Sequence, residues 1–387
     1  MKRVLSLLLS LLILLSLTAC GGRQELLSPA RDVPPAEEIL PEEETVPEEP
    51  IDPREAQLDA LLAEMTAEEK VGQLFFVRMP VGTEAEDVSR YHLGGYVVFW
   101  RNIKERSAGE LTDLLAACQS QAEIPLFLGT DEEGGSVIRF SLNRLLRPES
   151  FSSPRYIYDN GGLEALRTNC AEKDAFLQQF GINVTLAPVA DCATDENAFI
   201  YPRTVGSSPE EAARCVETMV QQMCADGMGS CLKHFPGYGN NVDTHTLVAV
   251  DERPYEQFEA EDFLPFQAGI DAGAPFVLVS HNIINCMDAD LPASLSPAVH
   301  LILRQRLGFE GLIITDDLTM EAVAAYVENG SAAMQALKAG NDMIITTDYP
   351  TQIGQVLAAV ADGTLDMSTV DTACRRVLRV KMDMGLM

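Results

Sequence analysis

Two short stretches hold the side chains best suited to chemistry. KHFPGYGNNVDTH, Lys233 to His245, gathers a lysine, an aspartate and two histidines in a chain that has only five histidines, and Asp316 ends the apolar run GLIITD. Asp243 and His245 are two residues apart, so on an extended loop both side chains lie on one side. There the carboxylate fixes the imidazole tautomer and raises its basicity. A proton donor and acceptor of this kind, facing an ionised carboxylate, suits glycoside hydrolysis: one group attacks the anomeric carbon while the other protonates the leaving oxygen. Asp316 is placed for the attack, because a rigid strand end aims it and the start of the following helix favours its anionic form. Asp317 beside it is expected to point elsewhere and cap that helix. Lys233 and His234, adjacent at a strand end, suit contacts to sugar hydroxyls or an acetamido group. Gly237, Gly239, Asn240 and Asn241 give the loop freedom to swing over a bound sugar.

These groups need a frame. Short apolar runs alternate with amphipathic stretches along the chain: 72–77, 94–99, 124–130, 182–189, 229–235, 275–281, 311–316 and 342–347. Eight buried-type strands separated by helical stretches predict an α/β fold, a (β/α)8 TIM barrel forming a single catalytic domain over residues 55–387; a doubly wound open sheet is the alternative. Leu58, Leu61, Leu62 and Met65 recur at helical spacing before it, and Thr66 with Glu69 predicts a capping box. The polar strand-end residues then fall on one face. Asp131 ends the third run, Asp191 follows the fourth, Lys233 and His234 close the fifth, His281 the sixth, Asp316 and Asp317 the seventh, and Asp348 the eighth. Barrel active sites form at those carboxyl ends, so the set is expected to converge.

At these residues the sequence resembles glycoside hydrolase family 3, in its bacterial β-N-acetylhexosaminidase branch, from about Leu58 to the C-terminus. ILRQRLGFEGLIITDD, Ile302 to Asp317, is similar to the family's nucleophile signature and implies that Asp316 is the nucleophile. KHFPGYGNNVDTH resembles the branch's loop motif, which implies an acid/base dyad of Asp243 and His245 and sugar binding by Lys233 and His234. DEEGGSVIR implies sugar-hydroxyl contacts for Asp131 and a binding role for Arg139, and YPRTVG implies that Arg203 stands in the pocket. Tyr238 occupies the place of the branch's second loop histidine, and the gap from His234 to Asp243 is one residue shorter. The second α/β domain of the family's larger β-glucosidases has no counterpart here, so the pocket is expected from the barrel alone. The resemblance implies a retaining exo-β-N-acetylhexosaminidase that releases terminal N-acetylglucosamine and needs no metal or cofactor. A phosphorylase is one alternative, since a neutral imidazole base repels phosphate less than a carboxylate would. A non-catalytic sugar-binding lipoprotein is the other.

Composition sets the surroundings. A formal charge of -30, with no Lys/Arg cluster, argues against nucleic acid as a partner. Residues 1–20 have a basic start and an apolar run too short for a membrane span, as in an export signal, and LTAC resembles a lipobox with lipidation at Cys20. Residues 21–54, rich in Pro and Glu, predict an extended, self-repelling linker. The expectation is an extracytoplasmic, lipid-anchored monomer meeting GlcNAc-containing peptidoglycan fragments, with the membrane touched only through the anchor. The other eight cysteines lack CxxC or zinc spacing and are expected as buried small side chains rather than a disulfide framework.

Overall fold

Thr66 Oγ1 accepts a hydrogen bond from the Glu69 N–H, and the Glu69 carboxylate accepts one from the Thr66 N–H at 2.7 Å. This is the expected capping box, and it starts the helix Ala67–Gln73. The preceding helix, Pro53–Glu64, buries Leu58 and Leu62. The computed structural model describes residues 53–241, 249–320, 323, 326–327 and 331–387. The signal segment, Cys20 and nearly all of the linker lie outside the described residues, as do Asp243 and His245.

Seven strands form one parallel sheet in chain order: β1 Phe76–Arg78, β2 Gly95–Val98, β3 Phe127–Thr130, β4 Val184–Thr185, β5 Gly229–Phe235, β6 Phe276–Val279 and β7 Leu312–Thr315. The eighth apolar run closes it. Met343 bridges Ile314 of β7, Ile344 bridges Phe75, and the Phe76 N–H donates to the Ile344 carbonyl at 3.0 Å. A parallel sheet that returns to its first strand is a (β/α)8 barrel, not the open sheet held as the alternative.

The strands are shorter than the apolar runs, for local reasons. Gly72 belongs to the helix Ala67–Gln73 rather than to β1, and a Cβ there would stand 2.2 Å from the Tyr91 carbonyl oxygen. The fourth run is a strand only over Val184–Thr185; Pro188, further on, has no N–H for the ladder, and pairing resumes as a bridge between Val189 and Lys233. The eighth run is held by isolated bridges only. A second, two-stranded parallel sheet joins Val250–Asp251 to Ile283–Ile284, beyond the ends of β5 and β6, and the sequence gives no sign of it.

Phe76 of β1, Phe127 of β3 and Phe276 of β6 touch with centroids 5.0 to 6.5 Å apart. These strands are not sheet neighbours, so the rings meet across the barrel lumen and fill it. Gly129 makes room, since a Cβ there would lie 2.4 Å from Phe76 Cζ. Outside the sheet, Leu232, Val277 and Val279 pack with Val216, Val220 and Phe266 of the surrounding helices. Each such side chain contributes about 1.5–3 kcal/mol when fully buried.

Eight described cysteines are free: Cys118, Cys170, Cys215, Cys231 and Cys374 are buried as expected, Cys192 is half-buried, and Cys224 and Cys286 are exposed. Among the described residues no helix is long and apolar enough to cross a membrane.

Candidate active site

Three consecutive acids after β3 do three different jobs. Glu132 is fully buried, and its carboxylate accepts from the N–H groups of Arg139, Phe140 and Ser141 at 2.8, 2.7 and 3.2 Å, with Ser141 Oγ as a further donor. That folds the segment 131–141 back on itself and returns Arg139 to within 3.5 Å of Asp131. The turn needs glycine: Gly134 has φ +103, and a Cβ there would sit 2.2 Å from the Ser152 carbonyl oxygen. Asp131 accepts from Lys233 Nζ at 2.8 Å, and Glu133 lies 2.6 Å from the same ammonium.

Glu133 is the hub. Besides Lys233 it takes a two-pronged contact from Arg203, whose Nε and terminal nitrogen donate at 2.9 and 2.7 Å. Burial pushes the Glu133 carboxyl up, but the charges of Lys233 and Arg203 more than reverse that and hold it well below the usual carboxylate range. Burial likewise depresses Lys233, and Asp131 and Glu133 outweigh it, so the ammonium is held above the ordinary lysine value. Glu133 and Lys233 side chains are 2% and 3% exposed, against 14% for Asp131, 13% for Arg203 and 24% for Arg139. The last three are therefore the groups at the mouth, and the first two support them from beneath.

His234 is fixed from two sides. Its Nδ1–H and its backbone N–H both donate to Asp191 Oδ2, at 2.7 and 3.1 Å, while Asp191 Oδ1 accepts from the Tyr238 N–H at 2.8 Å. Arg203 reaches His234 Nε2 at 3.2 Å. Tyr238 is buried and meets His234 and Phe199 edge-on, with centroids 5.1 and 5.0 Å away.

The loop beyond β5 is less free than its glycines suggest. Gly237, at φ +124, and Gly239, at φ +55, permit close approach: a Cβ would fall 2.2 Å from Asp262 Oδ1 and 2.7 Å from the Arg253 guanidinium carbon. Asn240 Oδ1 accepts from the N–H groups of Thr194 and Asp195 at 2.9 and 3.0 Å, which ties the loop to the segment after β4. The expectation of a freely swinging loop is thus corrected as far as Asn241; Asp243 and His245 lie outside the described residues.

Asp316 follows β7. Its N–H donates to the Val279 carbonyl at 3.2 Å, and its Oδ1 accepts from the Asp317 N–H at 2.8 Å, which orients the carboxylate at the strand end. Asp317 points away, to the Thr319 N–H and hydroxyl and to the Thr347 hydroxyl at 3.0, 2.8 and 3.1 Å. His281, which closes the sixth run, contacts the Ser294 hydroxyl and the Asp317 carbonyl at 2.7 and 3.1 Å. Burial pushes the Cys231 thiol up, with Lys233 opposing the shift and Asp131 and Asp316 adding to it. Asp348 starts the helix Tyr349–Ala361 and takes no part in the Lys233 network.

Asp131, Arg139, Arg203, Lys233 and His234 therefore form one bonded network on the face that carries Asp316. Sequence reasoning placed Asp191 only in the converging strand-end set, without a partner, and gave no role to Glu133, although the acidic triplet was visible. An arrangement of fixed donors and acceptors on the same face as an oriented carboxylate can bind a polyhydroxyl ring and present a nucleophile to it.

Residues 66–380 match the glycosyl hydrolase family 3 N-terminal domain. The chain is 33% identical over 281 residues to a β-hexosaminidase of Xanthomonas campestris pv. campestris, covering 72% of this chain and 84% of the relative. It is 34% identical over 272 residues to a β-hexosaminidase of Xylella fastidiosa, covering 70% and 80%. Among solved structures, a family 3 β-N-acetylglucosaminidase from Paenibacillus superposes with a TM-score of 0.77 at 27% identity, over 83% of this chain and 63% of that one. LpqI of M. tuberculosis gives 0.74 at 27%, over 83% and 95%.

Proposed function

The chain belongs to glycosyl hydrolase family 3, and from that premise we propose that it is a retaining exo-β-N-acetylhexosaminidase releasing terminal β-linked N-acetylglucosamine. The observation that carries the reading is the single bonded network of Asp131, Glu133, Lys233, Arg203 and His234 on the barrel face where Asp316 follows β7. Relatives named β-hexosaminidase and β-N-acetylglucosaminidase support the choice of sugar.

In the first step an Asp316 oxygen bonds to the anomeric carbon as the bond to the leaving oxygen breaks, and the imidazolium of His245 gives that oxygen its proton. In the second, His245 takes a proton from water, the hydroxyl bonds to the anomeric carbon, and the Asp316 carboxylate leaves. Asp243 holds the imidazole of His245. Asp131, Arg139 and Arg203 contact the sugar, with Lys233 and His234 fixing them.

The acidic linker and the lipobox-like LTAC ending at Cys20 support an extracytoplasmic, membrane-anchored enzyme acting on peptidoglycan fragments. The test is proton NMR of a β-N-acetylglucosaminide digest. N-acetylglucosamine appearing first as the β-anomer supports the reading; first appearance of the α-anomer, or of a sugar phosphate when phosphate is present, contradicts it.

A further inference from the structure

A cleft of about 440 Å³ opens between the ends of β1 and the eighth run. Arg78, Arg101, Thr347, Asp348 and Tyr349 are among its walls. Arg78 is the last residue of β1, and Arg101 lies in the short helix Trp100–Ile103 after β2. Thr347 donates to Asp317, the chain neighbour of Asp316. The cleft is thus on the catalytic face and borders the sugar network through Phe99, whose ring carries Arg78 at 4.3 Å and Arg139 at 5.5 Å.

We propose that this cleft is the leaving-group subsite and that Arg78 and Arg101 bind a carboxylate carried by the sugar being released from N-acetylglucosamine. The inference rests on the hydrolase reading. In a chain with 58 acidic and 28 basic residues, a surface guanidinium normally finds an acidic partner. Among the described residues neither Arg78 nor Arg101 is in an ion pair, and the buried Nε of each has no hydrogen-bond partner. Both side chains are nevertheless held: Arg78 lies 4.3 Å over the Phe99 ring, and Arg101 donates to the Met79 carbonyl at 2.7 Å. Burial and the neighbouring charge of Arg78 both lower the Arg101 pKa, and Tyr349 and Asp317 oppose them only in part. Asp348 is the one carboxylate on the wall, leaving the lining net positive. Two fixed guanidinium forks match a carboxylate, and a neutral sugar ring gives them no charge to meet. With the terminal sugar held over β3 to β5, the next residue of an exo-substrate extends over this remaining arc.

The test is titration calorimetry on the full chain in detergent with N-acetylmuramic acid, its methyl ester and N-acetylglucosamine. The acid is expected to bind about tenfold more tightly than the ester, and R78Q with R101Q is expected to abolish that preference. N-acetylmuramoyl dipeptide distinguishes a carboxylate on the sugar ether from one on an attached peptide. Equal affinity for acid and ester in the unaltered protein overturns the proposal without any variant, and so does a preference that survives in a folded double variant. Failure here would leave Asp316-dependent release of aryl-linked N-acetylglucosamine untouched. Loss of that release with the acid preference kept would overturn the hydrolase reading and leave a carboxylate site.

Discussion

Arg203 and His234 meet at 3.2 Å through a guanidinium nitrogen and Nε2. A guanidinium only donates, so Nε2 must accept, and the ring proton sits on Nδ1, where Asp191 Oδ2 receives it at 2.7 Å. His234 is therefore a neutral positioning group for Arg203, with both nitrogens engaged.

Asp191→Asn tests that relay. The carboxylate accepts three hydrogen bonds, from the Nδ1–H and N–H of His234 and the N–H of Tyr238, and an amide puts an NH2 against one of those donors. Stability should fall by about 1–3 kcal/mol and kcat/KM by at least about tenfold. Nitrogen NMR of the histidine ring should show that His234 no longer carries its proton on Nδ1 alone.

Glu133→Gln removes the charge between two cations. Breaking such a buried pair should cost about 3–5 kcal/mol at neutral pH. Because the folded Glu133 carboxyl is held below its unfolded value of about 4.3, its contribution is present above that pH and lost as pH falls below it. Unfolding measured from pH 7 to pH 3 should show a shallower acid limb in the variant than in the parent.

Gly237→Ala should destabilise through sterics and backbone together, since its φ is +124 and the added methyl meets the Asp262 carboxylate that binds Arg253 at 2.7 Å. A loss of about 1–3 kcal/mol in thermal unfolding is expected. An unchanged melting temperature would mean that the loop does not pack on Asp262.

His245→Gly should separate acid catalysis from attack. Turnover of a disaccharide should drop by about 10²–10⁴-fold, while an aryl glycoside with an activated leaving group loses much less in the first step. Equal losses on both substrates would remove His245 from the proton-donor role.

The barrel was legible because each buried strand is a short apolar run, and the seven strands fall within or beside seven of those runs. Asp131, Lys233, His234, Arg139 and Arg203 were legible as strand-end or motif residues. Their connections were not. An acid in a sequence does not announce which cation it meets, and Glu133 finds Lys233 and Arg203 100 and 70 positions away. Gly237 shows the converse: glycine marks a permissive backbone, but only packing tells whether that serves motion or close approach.

The central claim is that Asp316 carries the covalent step. Turnover of an aryl β-N-acetylglucosaminide by Asp316→Asn, beside the parent protein under identical conditions, tests it most directly. The account predicts release reduced to background while the variant still melts cooperatively. Release close to the parent's rate from a folded Asp316→Asn protein would contradict it.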